Sequence, residues 1–214
     1  MKFEIHQPWG LTNETIDGIF LLDSFGQTKW KDAKYSYVAQ ALQYVWWQTG
    51  HVCIAIQANG AGYATLLLSA QLARGFIKKR QASYEVRFAV IISMGNDVYG
   101  MRTCVASAIA HGMAEVCNCV QEYTASRALV IYGGSSHVWG YEGTFAETYD
   151  DNVDAVIKIL RDKYETLAIK GTRLGALQTT DRIGHVHIAA LPAVVNMYCK
   201  WARLAMAMNQ SSRL

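Results

Sequence analysis

Two kinds of apolar pattern alternate along this chain. In the first, apolar residues run without interruption: Gly18-Ile19-Phe20-Leu21-Leu22, His51-Val52-Cys53-Ile54-Ala55-Ile56, Phe88-Ala89-Val90-Ile91-Ile92 and Ala128-Leu129-Val130-Ile131-Tyr132. Short runs of this kind, rich in β-branched residues, suit strands covered on both faces, as in a parallel sheet. They predict strands at 18–22, 51–57, 86–92 and 128–132, with a short fifth one at 166–169 (Thr166-Leu167-Ala168-Ile169). In the second kind, apolar side chains return every three or four positions, which is the signature of a helix with one buried face. Tyr37, Ala41, Tyr44, Val45 and Trp47 predict a helix over 35–48, and Leu66, Leu67, Ala70, Leu72 and Ile77 one over 64–79. Further helices are expected over 101–123, over 149–164 on Val153, Val156, Ile157 and Leu160, and over 189–208. Gly133 to Thr148, polar and aromatic, reads as a loop too long to be a simple connector. Strands alternating with helices make an α/β fold, a three-layer α/β/α sandwich around a mainly parallel sheet. With no repeat, low-complexity tract or linker, residues 1–214 read as a single domain.

The polar residues that end these apolar runs matter most. In an open α/β sheet, ligands bind in the crevice at the carboxyl ends of the strands. The run at 88–92 ends in Ser93-Met94-Gly95-Asn96-Asp97, and the run at 18–22 in Asp23-Ser24-Phe25-Gly26. Ser24 is therefore placed like a nucleophile. A hydroxyl needs an imidazole to take its proton, and the imidazole needs a partner that fixes its tautomer. Asp181, His185 and His187, just before the last helix, could supply both. Each of these residues also has an ordinary reading: Ser24 and Asn96 suit helix caps or turns, and Gly62 suits a turn.

Taken in order, these blocks resemble the SGNH, or GDSL-type, family of serine hydrolases. That family carries Gly-Asp-Ser after its first strand, a glycine after its second, Gly-x-Asn-Asp after its third, and an Asp-x-x-His pair before its last helix. Here Asp23-Ser24 matches the first block, with Leu22 where the family has glycine. Gly62 matches the second block, with Gly60 as the near alternative, and Gly95-Asn96-Asp97 matches the third. In the fourth block Asp181 stands four residues before His185 and six before His187. The one-residue insertion favours His185. The apolar neighbours Val186 and Ile188 favour His187, which is the preferred base, with His185 as the alternative.

The resemblance implies a flavodoxin-like sheet of five strands in the order 2-1-3-4-5. It also implies an esterase working through an acyl-enzyme, with Ser24 as nucleophile, His187 or His185 as base and Asp181 orienting it. Gly62 and Asn96 would form the oxyanion hole. His137 and Trp139, with Tyr141, would line a substrate pocket after the fourth strand, and the substrate would be a small acyl or acetyl ester. The runner-up is a non-catalytic domain of the same fold that binds a small molecule or a protein partner. Its motivation is Leu22 in place of glycine and the irregular Asp–His spacing. A flavodoxin-like nucleotide binder is a third reading.

Composition narrows the classes further. Twenty basic and 17 acidic residues give a formal charge of +3, too slight to suggest a nucleic-acid surface. Lys78-Lys79-Arg80 reads as a solvated turn between a helix and a strand. No apolar run approaches the length of a membrane span, and the N-terminus lacks the apolar core of a secretory signal. The five cysteines, Cys53, Cys104, Cys117, Cys119 and Cys199, cannot all pair, and their apolar settings suit reduced thiols and a cytoplasmic location. A secretory signal removed earlier is also compatible with the sequence. Cys117-Asn118-Cys119 does not read as a metal pair, because residues two apart on a helix do not face each other. Gly60-x-Gly62 is too short for a dinucleotide fingerprint, so no cofactor or metal is expected.

Overall fold

The computed structural model describes residues 2–12, 14–23, 37–58, 62–81, 85–93, 96–99, 106–132, 144–171 and 191–210. Six strands form one sheet: β1 (Phe3–His6), β2 (Gly18–Leu22), β3 (Cys53–Ala58), β4 (Phe88–Ser93), β5 (Leu129–Tyr132) and β6 (Leu167–Lys170). Among the described residues, six helices accompany them: α1 (Tyr37–Thr49), α2 (Tyr63–Arg80), a single turn α3 (Asn96–Tyr99), α4 (Ala106–Gln121), α5 (Thr144–Tyr164) and α6 (Leu191–Gln210). The strand order is β1-β3-β2-β4-β5-β6, and every pairing is parallel except that of β1 with β3.

Strands β2 to β5 are buried along their whole length, which is why they carry unbroken apolar runs. Their side chains divide by the two-residue period of a strand. Ile19, Leu21, Ile54, Ile56, Ala89, Ile91 and Val130 face a core shared with α2, α4 and α5. Phe20, Leu22, Ala55, Val90, Ile92, Leu129 and Ile131 face a second core closed by α1 and α6. The result is the expected α/β/α sandwich. The five parallel strands, taken in chain order, lie in the expected order 2-1-3-4-5.

Several expectations need correction. The sheet has a sixth strand, β1, laid antiparallel on the free edge of β3 with Ile5 opposite Ile56. Four residues with a half-exposed isoleucine gave no strand signal in the sequence; Ile5 is 45% exposed. The helix expected over 101–123 is shorter, beginning at Ala106, and a separate turn, α3, precedes it. The loop expected to run to Thr148 gives way to α5 from Thr144. Lys78, Lys79 and Arg80 form the last turn of α2 rather than a turn beyond it, where their charge suits the negative end of the helix dipole.

The course of α6 bears on the site. Trp9, beyond β1, donates its N–H to Gln43 Oε1 at 2.8 Å, which sets the second half of α1 at the amino ends of the parallel strands. Tyr44 and Gln48 of α1 share a cavity of about 250 Å³ with Pro192, Val195 and Asn196 of α6. Tyr198 of α6 stacks on Phe20 in the middle of β2 and lies in the field of Asp23 beyond the carboxyl end of that strand.

Candidate active site

The carboxyl ends of the central strands gather the groups picked out in the sequence. Strand β2 ends at Asp23, which is fully buried and whose N–H donates to the Ile92 carbonyl at 3.3 Å, extending the ladder with β4. Strand β4 ends at the buried Ser93, and Asn96 and Asp97 open α3 just beyond it. Gly62 lies between β3 and α2, where it caps the helix in an extended conformation (φ −92°, ψ −172°) with no side-chain cap. Its carbonyl accepts from Thr65 N–H at 3.1 Å and Leu66 N–H at 3.0 Å.

Gly62 and Asp97 meet directly. The Asp97 carboxylate accepts the Tyr63 N–H through Oδ2 at 2.7 Å, satisfying a donor at the start of α2 that the helix itself leaves free. A Cβ on Gly62 would collide with that carboxylate, so any side chain here would have to displace Asp97. Burial pushes the Asp97 carboxyl above its usual range, and the Tyr63 N–H pulls it partly back. Tyr63 is itself closely packed, because its ring occupies the space where Gly112 of α4 lacks a side chain.

Phenols surround the two carboxylates. Tyr132, the last residue of β5, is buried, and its hydroxyl makes no hydrogen bond among the described residues. Burial first, and then the charge of Asp97, holds this phenol well above its ordinary range. Tyr149 of α5 and Tyr198 of α6 are raised by burial and then by Asp23. Ionised forms of these three groups are therefore suppressed. They can act as neutral hydrogen-bond donors beneath the rim, but not as bases.

The structure brings Gly62 and the start of α3 together with Asp23. Asn96 is the first residue of α3, but its side chain lies outside the description, as do all of Ser24, Gly60, His137, Trp139, Tyr141, Asp181, His185 and His187. Among the described residues, no cluster of His, Cys, Asp and Glu is arranged to hold a metal ion, and no helix is long and apolar enough to cross a membrane. Sequence reasoning missed the phenols and the contact made by Asp97. Tyr132 had left a signal, as a hydroxyl at the carboxyl end of an apolar strand. Tyr149 and Tyr198 sit in amphipathic helices, where nothing marks them out.

No family model and no curated protein matches the chain by sequence. Solved structures do match by fold. The psychrotrophic esterase EstA from Pseudoalteromonas sp. aligns with a TM-score of 0.59 at 11% identity, over 87% of this chain and 97% of its own. The aryl esterase of M. smegmatis aligns with a TM-score of 0.59 at 11% identity, over 88% of this chain and 99% of its own. A carbohydrate acetylesterase family member from Sinorhizobium meliloti gives 0.56 at 12% identity, over 90% of this chain and 100% of its own. The chain shares the fold of these esterases. Nearly the full length of each esterase is covered, so the likeness in fold extends over most of the chain rather than one βαβ unit.

Proposed function

We propose that the protein is a serine esterase of the SGNH type. The observation that carries this reading is the meeting of Gly62 and Asp97 at the rim where Asp23 ends β2, one residue before Ser24. The positions of Asp23, Gly62 and Asp97, each from a block matched separately in the sequence, support this reading, as does a fold shared with esterases.

In this reading the Ser24 hydroxyl gives its proton to His185 or His187 as its oxygen attacks the ester carbonyl. Asp181 holds the imidazole in the required tautomer. The Gly62 N–H, the Ser24 N–H and the Asn96 side-chain amide receive the oxyanion. The imidazolium protonates the departing alcohol, and a water activated by the same imidazole then releases the acid. A donor of the Asn96 kind contributes about 3–4 kcal/mol to lowering the barrier. His137 and Trp139 would line the acyl or alcohol side of the cleft, and short acyl or acetyl esters are the substrate class.

The test is hydrolysis of p-nitrophenyl acetate, together with peptide mapping after labelling with a fluorophosphonate. The label is expected on Ser24 alone. A different labelled serine, or none, would overturn the assignment. The second reading, a binding domain without catalysis, is favoured by Leu22 in place of the family glycine and by the irregular Asp–His spacing. It predicts neither label nor turnover.

A further inference from the structure

We propose that Asp97 is a positioning residue for the oxyanion hole, holding Gly62 so that its N–H stays turned to the substrate. The inference rests on the esterase reading of Gly62 and goes beyond it, because the motif places Asp97 at the site without giving it a task.

The argument begins with the peptide groups at the entry to α2. A glycine that serves as an oxyanion donor must approach the substrate closely, and its lack of a side chain also leaves its own dihedral angles loosely held. An oxyanion hole works because its donors are already oriented before charge develops, so freedom at Gly62 would cost rate. Asp97 restrains that freedom from two sides. Oδ2 accepts the Tyr63 N–H at 2.7 Å and so fixes the peptide that follows Gly62. The same carboxylate fills the space beside the Gly62 α-carbon, where a Cβ would collide with it. With the Tyr63 N–H taken by Asp97, the Gly62 N–H is the next donor outward from the helix. The Tyr63 ring, seated against Gly112, holds the peptide from the α4 side.

A negative charge so near a forming oxyanion would be costly if it were free. Here it is met by the positive end of α2, and burial already favours the uncharged acid. The role therefore depends on the acceptor oxygen and its place, not on charge. An amide of the same shape should perform it.

The experiment compares Asp97→Ala, Asp97→Asn and Asp97→Glu in the full chain, using p-nitrophenyl acetate turnover and amide hydrogen exchange at Tyr63. In Asp97→Ala, kcat is expected to fall at least about tenfold with KM changed less than about twofold, because the loss is in transition-state stabilisation. Asp97→Asn keeps an oxygen that can accept from Tyr63, and its kcat should stay within about threefold of the parent. Asp97→Glu keeps the charge but crowds Gly62, and should lose kcat like the alanine variant. It puts the same question if Asp97→Ala does not fold. Protection of the Tyr63 amide should fall in Asp97→Ala and persist in Asp97→Asn. A folded Asp97→Ala with parental kcat, an equal loss in Asp97→Asn, or unchanged Tyr63 exchange would each overturn the proposal. If the parent hydrolyses no ester, the esterase reading is what fails. The Tyr63 exchange then decides alone whether Asp97 holds the Gly62 turn.

Discussion

The ring of Tyr198 lies flat on the ring of Phe20, with centroids 4.9 Å apart and planes 11° from parallel. One residue belongs to the last helix and the other to the central strand, two positions before the end of β2. This stack pins α6 beneath the rim that carries the candidate site. Both residues are fully buried, so Phe20→Ala and Tyr198→Ala should each cost about 3–5 kcal/mol, read as a lowered denaturant midpoint. A loss below about 1 kcal/mol from either variant would mean that the stack is not formed.

Mutation separates the two histidines. The apolar frame of Val186 and Ile188 favours His187, and the one-residue insertion in the Asp–His block favours His185. His187→Ala is expected to lower kcat by about a thousandfold or more, and His185→Ala by about tenfold or less. The reverse ranking would show that the one-residue insertion is the right alignment. Indifference to both changes would leave the binding-domain reading standing.

This case shows what could be read from the chain. The parallel strands were legible because each is an unbroken apolar run ended by a polar residue, and burial on both faces produces that pattern. Gly62 was legible as a glycine between a strand and a helix. Strand β1 was not, because Phe3-Glu4-Ile5-His6 pairs along one edge only and leaves Ile5 half in solvent. Nor was the first part of α5, since the apolar spacing that announces it starts at Val153. The partner of Asp97 is a main-chain N–H 34 residues away, and no side chain at Tyr63 reports what its backbone does.

Gly62→Ala supplies a direct check of the Gly62–Asp97 contact. The added methyl collides with the carboxylate, and the single variant should lose about 1–3 kcal/mol. In the double variant with Asp97→Ala the obstacle is gone, so the stability losses should be clearly less than additive. Strict additivity in chemical denaturation would mean that the two groups do not touch.

Acid stability should depend on His6. This imidazole is buried against Gln57, with Nε2 and Oε1 2.9 Å apart, and burial lowers its pKa in the folded state despite the opposing pull of Gln57 and Glu4. The unfolded chain therefore binds the proton more readily. The neutral side chain contributes fully above about pH 6.5, and stability falls as pH drops below that value towards the lowered folded pKa. His6→Gln removes the titration. Between pH 7 and 5 its denaturation midpoint should decline less than that of the parent, and parallel curves would contradict the assignment.

Thiol chemistry should follow burial among the described cysteines. Cys53 and Cys117 are fully enclosed, with Cys117 pushed up to about 12 by desolvation, whereas Cys119 is only partly covered. Iodoacetamide at neutral pH should therefore modify Cys119 well before Cys53, Cys117 or Cys199, as read by peptide mass mapping. Early modification of Cys117 would mean that α4 opens readily from the sheet.

The antiparallel strand β1 has a consequence for the order in which the chain assembles. It is made before β3, yet β3 is its partner among the described strands, and the contact of His6 with Gln57 joins residues 51 positions apart. Until β3 has been made, β1 lacks this partner, and β3 in turn pairs with β2. During synthesis β1 is thus a late arrival although it is made before β3, closing the sheet over an edge that would otherwise be open to a neighbouring chain.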